Sequence, residues 1–325
     1  MLLSILKRVA ISIVITLVVA VILVFSQRTK PMSGEGGLDF SRQLASGDGA
    51  VAPLQSIPMR DGYDLQVRTY GGADNVPLLV LVHGSGWHGM QFDRLGKALQ
   101  GSADIIAPDL RGHGTAPDRR GDIDYIGQLE DDLADMIAAV VKPGQKVIMG
   151  GHSSGGGLVV RFAGGEHGSL LDGAVLLAPF LKYNAPTTRQ DSGGWTRVLT
   201  RRIIGLSILN TFRISALNHL PVIQFNMPQA VLEGNLGDTA TLVYSYRLNQ
   251  SFAPRSKYLD DVAALPPFVL LAGGADEAFF AQEYAPTMGA VTDKGRYELM
   301  TGASHLDIVN DPRTIAIIKA FLDEY

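Results

Sequence analysis

The chain has 325 residues, enough for one large domain with a substantial hydrophobic core or for two small ones. It contains no cysteine, which excludes disulfides, thiol nucleophiles and thiolate-bound metals but does not indicate a compartment. The net charge is −4, yet the first 34 residues hold four basic and no acidic side chains. The other residues therefore include 24 basic and 32 acidic side chains and have a net charge of −8. This negative charge argues against a nucleic-acid partner.

The N-terminal segment is the most apolar part of the chain. Residues 9–25 are uncharged, and 13 of these 17 are Val, Ile, Leu or Phe. As a helix they span about 26 Å, close to a hydrocarbon core of about 30 Å. A cleaved signal peptide ending near Ser26 is the alternative, but the run exceeds the usual 7–15 residues. We therefore predict a single-pass N-terminal anchor. Basic residues on both sides leave its orientation open, with an exported catalytic domain preferred.

Three segments follow from composition. Residues 1–30 hold the anchor, and residues 31–53, rich in glycine and proline without periodicity, predict a linker. Residues 54–325 predict the main domain, because short apolar runs alternate there with longer amphipathic stretches.

The alternation predicts a mostly parallel sheet with helices on both faces. The predicted strands are 54–59, 65–70, 78–82, 105–107, 147–150, 174–177, 268–272 and 296–300. The predicted helices are 91–99, 123–141, 154–164 and 312–325. Residues 180–262 interrupt the pattern and lack clear strands, so we expect an inserted, mainly helical cap there.

One motif predicts a nucleophile. Gly151-His152-Ser153-Ser154-Gly155 matches G-x-S-x-G and lies between the strand at 147–150 and the helix at 154–164. A sharp strand-to-helix turn would hold the serine hydroxyl above the sheet, at a helix N-terminus that favours negative charge. A glycine-rich turn without chemistry is the alternative. The flanking elements favour Ser153 as a nucleophile.

A serine hydroxyl needs a base. His305 lies between the last predicted strand and the last helix, at the carboxyl edge of the sheet that also holds the sharp turn at Ser153, and is the expected base. Asp276 follows the strand 268–272 at the same edge and is the expected acid, with the adjacent Glu277 as its competitor. The other histidines are expected to be structural or exposed: His83, His88, His113, His152, His167 and His219.

Acyl transfer also requires two preorganised donors for the oxyanion. The backbone N–H of Ser154 is the first expected donor. The second is expected from His83-Gly84-Ser85-Gly86, with Ser85 preferred and Gly86 left open. We expect Gly84, Gly86 and Trp87 of this loop to contact substrate.

Together with Asp109-Leu110-Arg111-Gly112-His113-Gly114, these motifs make residues 54–325 resemble the α/β-hydrolase superfamily, particularly its monoacylglycerol-lipase-like and serine-aminopeptidase-like branch. The resemblance implies an eight-stranded, mostly parallel sheet, a cap after the sixth strand, and a Ser-Asp-His triad that hydrolyses esters, lipids or peptides without a cofactor. Serine at position 153 disfavours the dehalogenase and epoxide-hydrolase branches, which have aspartate there.

We therefore predict a serine hydrolase that cleaves a lipid-like or small acyl ester through an acyl-enzyme, without metal or cofactor. A serine peptidase of the same fold is the alternative, and the ester is favoured because the anchor holds the protein at a lipid surface. Two remote alternatives are a non-catalytic binding module and a dinucleotide-binding oxidoreductase. The second rests on Gly84-Ser85-Gly86-Trp87-His88-Gly89, a formal G-x-G-x-x-G whose bulky Trp87 and His88 argue against it.

Charge is segregated within the main domain. Residues 182–258 carry nine basic and three acidic side chains, a net of +6, so the remainder of residues 35–325 carries −14. Arg197, Arg201 and Arg202 lie among apolar residues in this segment. Two interpretations stay open: a lid that covers the active site, or a basic apolar surface that faces the bilayer and admits substrate from it. The oligomeric state is not predicted.

Overall fold

The computed structural model of the protein describes residues 1–35, 37–40 and 51–325. The β-strands of these residues are β1 (Gln55–Pro58), β2 (Asp64–Tyr70), β3 (Leu78–Val82), β4 (Asp104–Pro108), β5 (Val147–His152), β6 (Gly173–Leu177), β7 (Thr196–Val198), β8 (Pro221–Phe225), β9 (Val243–Ser245), β10 (Phe268–Gly273) and β11 (Gly295–Met300). The α-helices are α1 (Leu2–Phe25), α2 (Asp93–Ala98), α3 (Gln128–Val140), α4 (Ser154–Ala163), α5 (Thr200–Thr211), α6 (Gln229–Leu232), α7 (Tyr246–Phe252), α8 (Tyr258–Ala264), α9 (Tyr284–Gly289) and α10 (Pro312–Leu322).

The main sheet has the strand order β1-β2-β4-β3-β5-β6-β10-β11. The β1–β2 and β2–β4 pairs are antiparallel, and the other neighbours in this sheet are parallel. Every residue of the strands β3, β5, β6 and β10 is buried, because helices cover both faces of the sheet. The topology confirms the predicted α/β-hydrolase fold, and each predicted sheet strand ends within two residues of the observed one.

One predicted helix starts later than expected. The acidic, amphipathic stretch predicted a helix over 123–141, whereas α3 begins at Gln128. The preceding backbone is held by other partners: the N–H of Gly127 donates to the Ser251 hydroxyl at 2.8 Å, and the N–H of Asp124 donates to the Gln128 side chain at 2.6 Å. One distant contact and one local contact therefore hold the backbone that precedes the start of this helix.

The N-terminal helix α1 has 24 residues, about 36 Å in length, and is long and apolar enough to cross a membrane. Most of its side chains are exposed, but Ala20 and Val24 are fully buried against α5. Gly205 of α5 lies so close to α1 that a Cβ there would be 2.5 Å from the carbonyl oxygen of Ala20. The last turns of the apolar helix thus pack directly on the inserted segment.

The inserted segment between β6 and β10 contains helices α5 to α8 and an antiparallel sheet in the order β7-β8-β9. The sequence analysis predicted no strands here, and that expectation was wrong. These strands are three to five residues long. Runs this short do not establish a period of two, so the pairing becomes visible only in the folded chain.

Part of the predicted linker is docked on the domain. We call the described residues 30–35 and 37–40 the strap. Leu38 is buried in the main core, and the ring of Phe40 lies 5.9 Å from that of Trp195 in the cap. Composition rich in glycine and proline predicted a linker, and the described part of it packs against the domain.

Candidate active site

Ser153 lies at the turn between β5 and α4 with φ 54° and ψ −121°. A side chain in this region costs about 1–3 kcal/mol, so surrounding contacts must hold it. The Ser153 N–H donates to the carbonyl of Leu177 at 2.9 Å, and its own carbonyl accepts from the N–H of Phe180 at 2.8 Å. Helix and sheet approach closely here, since a Cβ on Gly155 would lie 2.1 Å from the carbonyl oxygen of Val82. This turn therefore requires the small residues of the G-x-S-x-G motif.

Asp276 and His305 form a buried pair at the carboxyl ends of β10 and β11. The Asp276 Oδ2 lies 2.8 Å from the His305 Nδ1, and Oδ1 accepts from the N–H groups of Ala278 and Phe279, each at 2.8 Å. Burial alone would raise the pKa of Asp276, but the charge and hydrogen bond of His305 and these two N–H groups hold it below its ordinary value. An ionised acceptor keeps the proton on Nδ1 and leaves the Nε2 lone pair of His305 for a second proton.

Two cavities share the walls formed by Ser153 and His305. The cap cavity, about 660 Å³, extends beneath the inserted segment and is lined there by Ile203 and Ile204 of α5. The strap cavity, about 460 Å³, extends beneath the strap. Ser85 and Trp195 also line both. The two cavities therefore meet at Ser153 and His305.

The loop after β3 meets the sharp turn at Ser153. The hydroxyls of Ser85 and Ser154 are hydrogen-bonded to each other. The N–H of Gly86 donates to the phenol oxygen of Tyr244 at 2.8 Å, and Gly86 is absent from the walls of both cavities. Of the two candidates left open by the sequence, Ser85 lines both cavities and Gly86 lines neither.

The other two residues expected to contact substrate lie at the strap cavity. Gly84 and Trp87 both line it. The Trp87 ring is stacked on that of His88, with centroids 4.7 Å apart, which fixes one wall of this cavity.

A polar chain that the sequence did not reveal joins this loop to the loop of His305. The N–H of Gly84 donates to the Gln91 Oε1 at 3.0 Å, and the Gln91 amide donates to the His152 Nδ1 at 2.6 Å. The His152 Nε2 in turn donates to the carbonyl of His305 at 2.9 Å. Burial, and then the charge of His305, lower the pKa of His152 to about 3, so its ring is neutral. His152 thus positions neighbouring loops, and no sequence signal pointed to Gln91.

Two further histidines are structural, as expected. His83 and His113 are buried, and burial lowers the pKa of His113 to about 4. The His83 Nδ1 donates to the carbonyl of Gly84 at 2.8 Å, and the His113 Nε2 lies 2.7 Å from the phenol oxygen of Tyr244. Tyr244 lies in the cap strand β9, so it ties the cap to the loop after β3 through Gly86.

The formal dinucleotide fingerprint at 84–89 is engaged internally. The N–H groups of Gly84, Gly86 and Gly89 donate to the side chains of Gln91, Tyr244 and Asp109 at 3.0, 2.8 and 2.8 Å. A pyrophosphate needs such backbone donors to be free, so the loop is unsuited to it. Among the described residues, no group of three or more His, Asp or Glu side chains is placed to hold a metal ion.

Known proteins agree with this architecture. Residues 73–313 match the family described as serine aminopeptidase, S33. An uncharacterised protein of Mycobacterium tuberculosis (strain ATCC 25618 / H37Rv) is 25% identical over 289 residues, which are 80% of this chain and 81% of that protein.

Among solved structures, a monoglyceride lipase from Saccharomyces cerevisiae aligns with a TM-score of 0.64 and 18% identity over 85% of this chain and 96% of its own. A bacterial membrane phospholipase A aligns with a TM-score of 0.60 and 19% identity over 98% of both chains. An esterase from Thermogutta terrifontis aligns with a TM-score of 0.56 and 19% identity over 84% of this chain and 99% of its own. At these identities the likeness concerns the fold. The family match covers about three quarters of the chain, which therefore belongs to the serine aminopeptidase S33 family of α/β hydrolases.

Proposed function

We propose that this hydrolase cleaves a carboxylic ester through an acyl-enzyme formed on Ser153. The observation that carries the proposal is the 2.8 Å hydrogen bond between Asp276 and His305 at a cavity wall that Ser153 shares with His305. The three residues come from the ends of β10, β11 and β5, which meet at one edge of the sheet. This order of nucleophile, acid and base along the chain is that of α/β hydrolases.

The proposed reaction has two half-reactions. The Nε2 of His305 takes the proton of the Ser153 hydroxyl while Oγ attacks the ester carbonyl carbon, and Asp276 stabilises the imidazolium. The N–H groups of Ser154 and Ser85 donate to the oxyanion. Collapse expels the alcohol, which takes the proton from His305. Water then attacks the acyl-enzyme by the same route and releases the carboxylic acid, which restores Ser153.

The cavities favour an ester with an apolar acyl chain. Beneath the cap, the cap cavity has apolar walls that include Ile203, Ile204, Ile223 and Phe225. An acyl chain gains about 0.8 kcal/mol for each CH₂ removed from water, so these walls stabilise a lipid-like substrate. The names of two proteins with this fold, a monoglyceride lipase and a phospholipase A, indicate that those proteins act on lipids.

An aminopeptidase is the competing function in this family. It must hold the α-amino group of its substrate, for which a carboxylate is the ordinary partner. Among the described residues that line the cavities, Asp93 is the single carboxylate. It is already bonded to the Lys97 ammonium, the Tyr70 hydroxyl and the N–H of Ala52. This arrangement favours the ester.

We also propose that α1 stays attached as a membrane anchor. Its removal would uncover Gly205 and Leu206 of α5, which pack on Ala20 and Val24. The docked α1 would hold α5, and with it one wall of the cap cavity, beside the lipid surface. Export of the catalytic domain stays a prediction.

Ser153→Ala tests the proposal directly. The variant should lose turnover of a short p-nitrophenyl ester by well over about 100-fold, because loss of a triad nucleophile removes the covalent route. Initial rates on purified full-length protein in detergent micelles give the comparison, and circular dichroism checks the fold. Residual activity above about a hundredth of wild type would exclude Ser153 as nucleophile and direct the search to Ser154.

A further inference from the structure

Two neighbouring amide side chains of the cap hold the strap by its backbone. The Gln224 Oε1 accepts from the N–H of Lys30 at 3.0 Å, and its Nε2 donates to the carbonyl of the same residue at 2.6 Å. The Asn226 Oδ1 accepts from the N–H of Gly34 at 2.9 Å, and its Nδ2 donates to the carbonyl of Glu35 at 2.7 Å. Both amides are buried and project from the same face of the chain, two residues apart. Each would lose two hydrogen bonds if the strap left.

The strap continues from these anchors to the active site. Leu38 is 7% exposed, and both Leu38 and Phe40 line the strap cavity beside Ser153 and His305. The strap begins five residues after the end of α1. It therefore connects the apolar helix with the catalytic cavity in one short stretch of chain.

Glu277 bonds to the strap and to the loop of His305 with one carboxylate. Its Oε1 accepts from the N–H of Asp39 at 2.9 Å, and its Oε2 accepts from the N–H of His305 at 3.0 Å. The neighbouring Asp276 holds the His305 ring. The backbone and the ring of the proposed base are thus fixed by adjacent carboxylates, of which only Glu277 also contacts the strap among the described residues.

We infer that the strap is part of the active site and that Glu277 is a positioning residue through which the strap orients His305. The inference rests on the proposed function, because it assigns the orientation of the proposed base. A carboxylate is suited to the position since both partners are N–H donors and it only accepts. A displacement of the base of about 1 Å costs about 10²-fold in rate, so the position of this loop governs turnover.

Glu277→Gln is the first test, because the amide keeps the shape and loses one acceptor. Its NH₂ group then faces one of the two N–H donors, and that contact breaks. In full-length protein, kcat for a short p-nitrophenyl ester should fall about 10–100-fold. KM and the thermal midpoint should stay near wild type, since a contact that only supports folding would lower the midpoint and spare kcat. Wild-type kcat in this variant would overturn the inference.

Asn226→Ala tests the strap from its other end. It removes two strap contacts without touching the triad, and Gln229→Ala is the matched control, since this exposed amide bonds to Glu233 instead. We expect a lower kcat for Asn226→Ala and an unchanged one for Gln229→Ala. In the double variant with Glu277→Gln, kcat should fall no further than in Glu277→Gln alone, because both act through one contact. If the loss in kcat of the double variant equals the product of the two single losses, the proposed coupling is overturned.

Amide hydrogen exchange supplies a readout that does not depend on turnover. The N–H groups of Asp39 and His305 should both be protected in wild type, and the one that faces the new NH₂ group should exchange faster in Glu277→Gln. If these two amides exchange freely in wild type, the inference about the strap is overturned, even when the enzyme is active. Wild-type protein that shows this protection but neither hydrolyses the ester nor reacts with a fluorophosphonate at Ser153 would instead refute the proposed function alone.

Discussion

Adjacent acidic residues take different partners at this site. The sequence left Asp276 and Glu277 as competitors for one role, since both follow β10 at the same edge. In the structure the Asp276 carboxylate bonds to the His305 ring, and the Glu277 carboxylate bonds to the His305 backbone N–H. The two side chains leave the backbone in different directions, so neighbouring carboxylates reach different groups of the same histidine.

Replacing Asp276 with Asn tests which carboxylate serves as the acid. The amide NH₂ would donate to Nδ1 and move the ring proton of His305 to Nε2, which could then no longer accept from Ser153. We expect kcat to fall about 10⁴-fold, more than for Glu277→Gln. Both variants are compared on the same short ester, with melting curves as the control for folding. A larger loss in Glu277→Gln would exchange the two roles.

At the scale of elements, α5 has a different role from the one considered for it in the sequence. Arg197, Arg201 and Arg202 were grouped as one basic surface of the cap. Arg202 is buried and donates to the carbonyls of Val24 and Pro221 at 2.9 and 2.8 Å, and also to the carbonyl of Gln27. Arg197 bonds to the Gln224 side chain, and of the three only Arg201 is exposed. The cluster therefore binds α1 and the cap more than it faces solvent.

Arg202→Gln should detach the end of α1 from the cap. The variant loses charged hydrogen bonds to buried carbonyls, so we expect it to lower the free energy of unfolding by about 2 kcal/mol or more. Urea unfolding in detergent micelles measures this, and trypsin cleavage after Arg28 and Lys30 should become faster. Arg201→Gln is the matched control, since this exposed side chain makes one long bond to the chain after α1, to the Ser26 carbonyl at 3.4 Å, and it should change both far less. Equal effects of the two substitutions would contradict the docking of α1 through Arg202.

At the scale of the whole molecule, the separated charges of the sequence meet across the cap boundary. The Arg247 Nε lies 2.7 Å from an Asp122 carboxylate oxygen, and the Arg255 Nη2 lies 2.6 Å from one of Glu130. Each acidic partner precedes its arginine by 125 residues in the sequence. The net +6 of residues 182–258 and the −14 of the rest of residues 35–325 are therefore partly matched by ion pairs that hold the two together.

Buried neutral histidines make the stability of the molecule dependent on pH. Burial lowers the pKa of His88 to about 3, that of His113 to about 4 and that of His152 to about 3, and it also lowers that of His83. The unfolded chain binds protons at these side chains near pH 6.5, while the folded chain does not. Their contribution to the free energy of unfolding is thus complete above about pH 6.5. It is lost as the pH falls toward the pKa values of the folded state, by up to about 1.4 kcal/mol per pH unit for each group.

Urea unfolding between pH 7.5 and 5.5 checks this prediction. The free energy of unfolding should fall across this range, and His88→Gln should make the fall less steep because one titrating group is removed. His219→Gln is the control for the substitution itself, since His219 is exposed. A free energy of unfolding that stays constant from pH 7.5 to 5.5 would show that these rings do not remain neutral in the fold.

The sequence by itself determined the sheet and the chain positions from which the candidate site is built. Its buried strands are continuous apolar runs, which are readable because each strand is covered on both faces. Ser153 and Asp276 follow such runs, His305 follows the more polar edge strand β11, and the carboxyl ends of parallel strands meet at one edge. Local pattern therefore sufficed for the alternation of strands and helices and for the candidates themselves.

The tertiary structure alone decided the partners. Within the strap, Lys30 bonds to Gln224, which lies 194 positions away in the sequence, and Asp39 bonds to Glu277, which lies 238 positions away. Gln91, Arg202 and the short cap strands likewise depend on groups far away in the chain. A single sequence shows hydrophobic period and turn chemistry over about ten to twenty residues, whereas a hydrogen bond between such distant groups exists only after the chain has folded and brought them together.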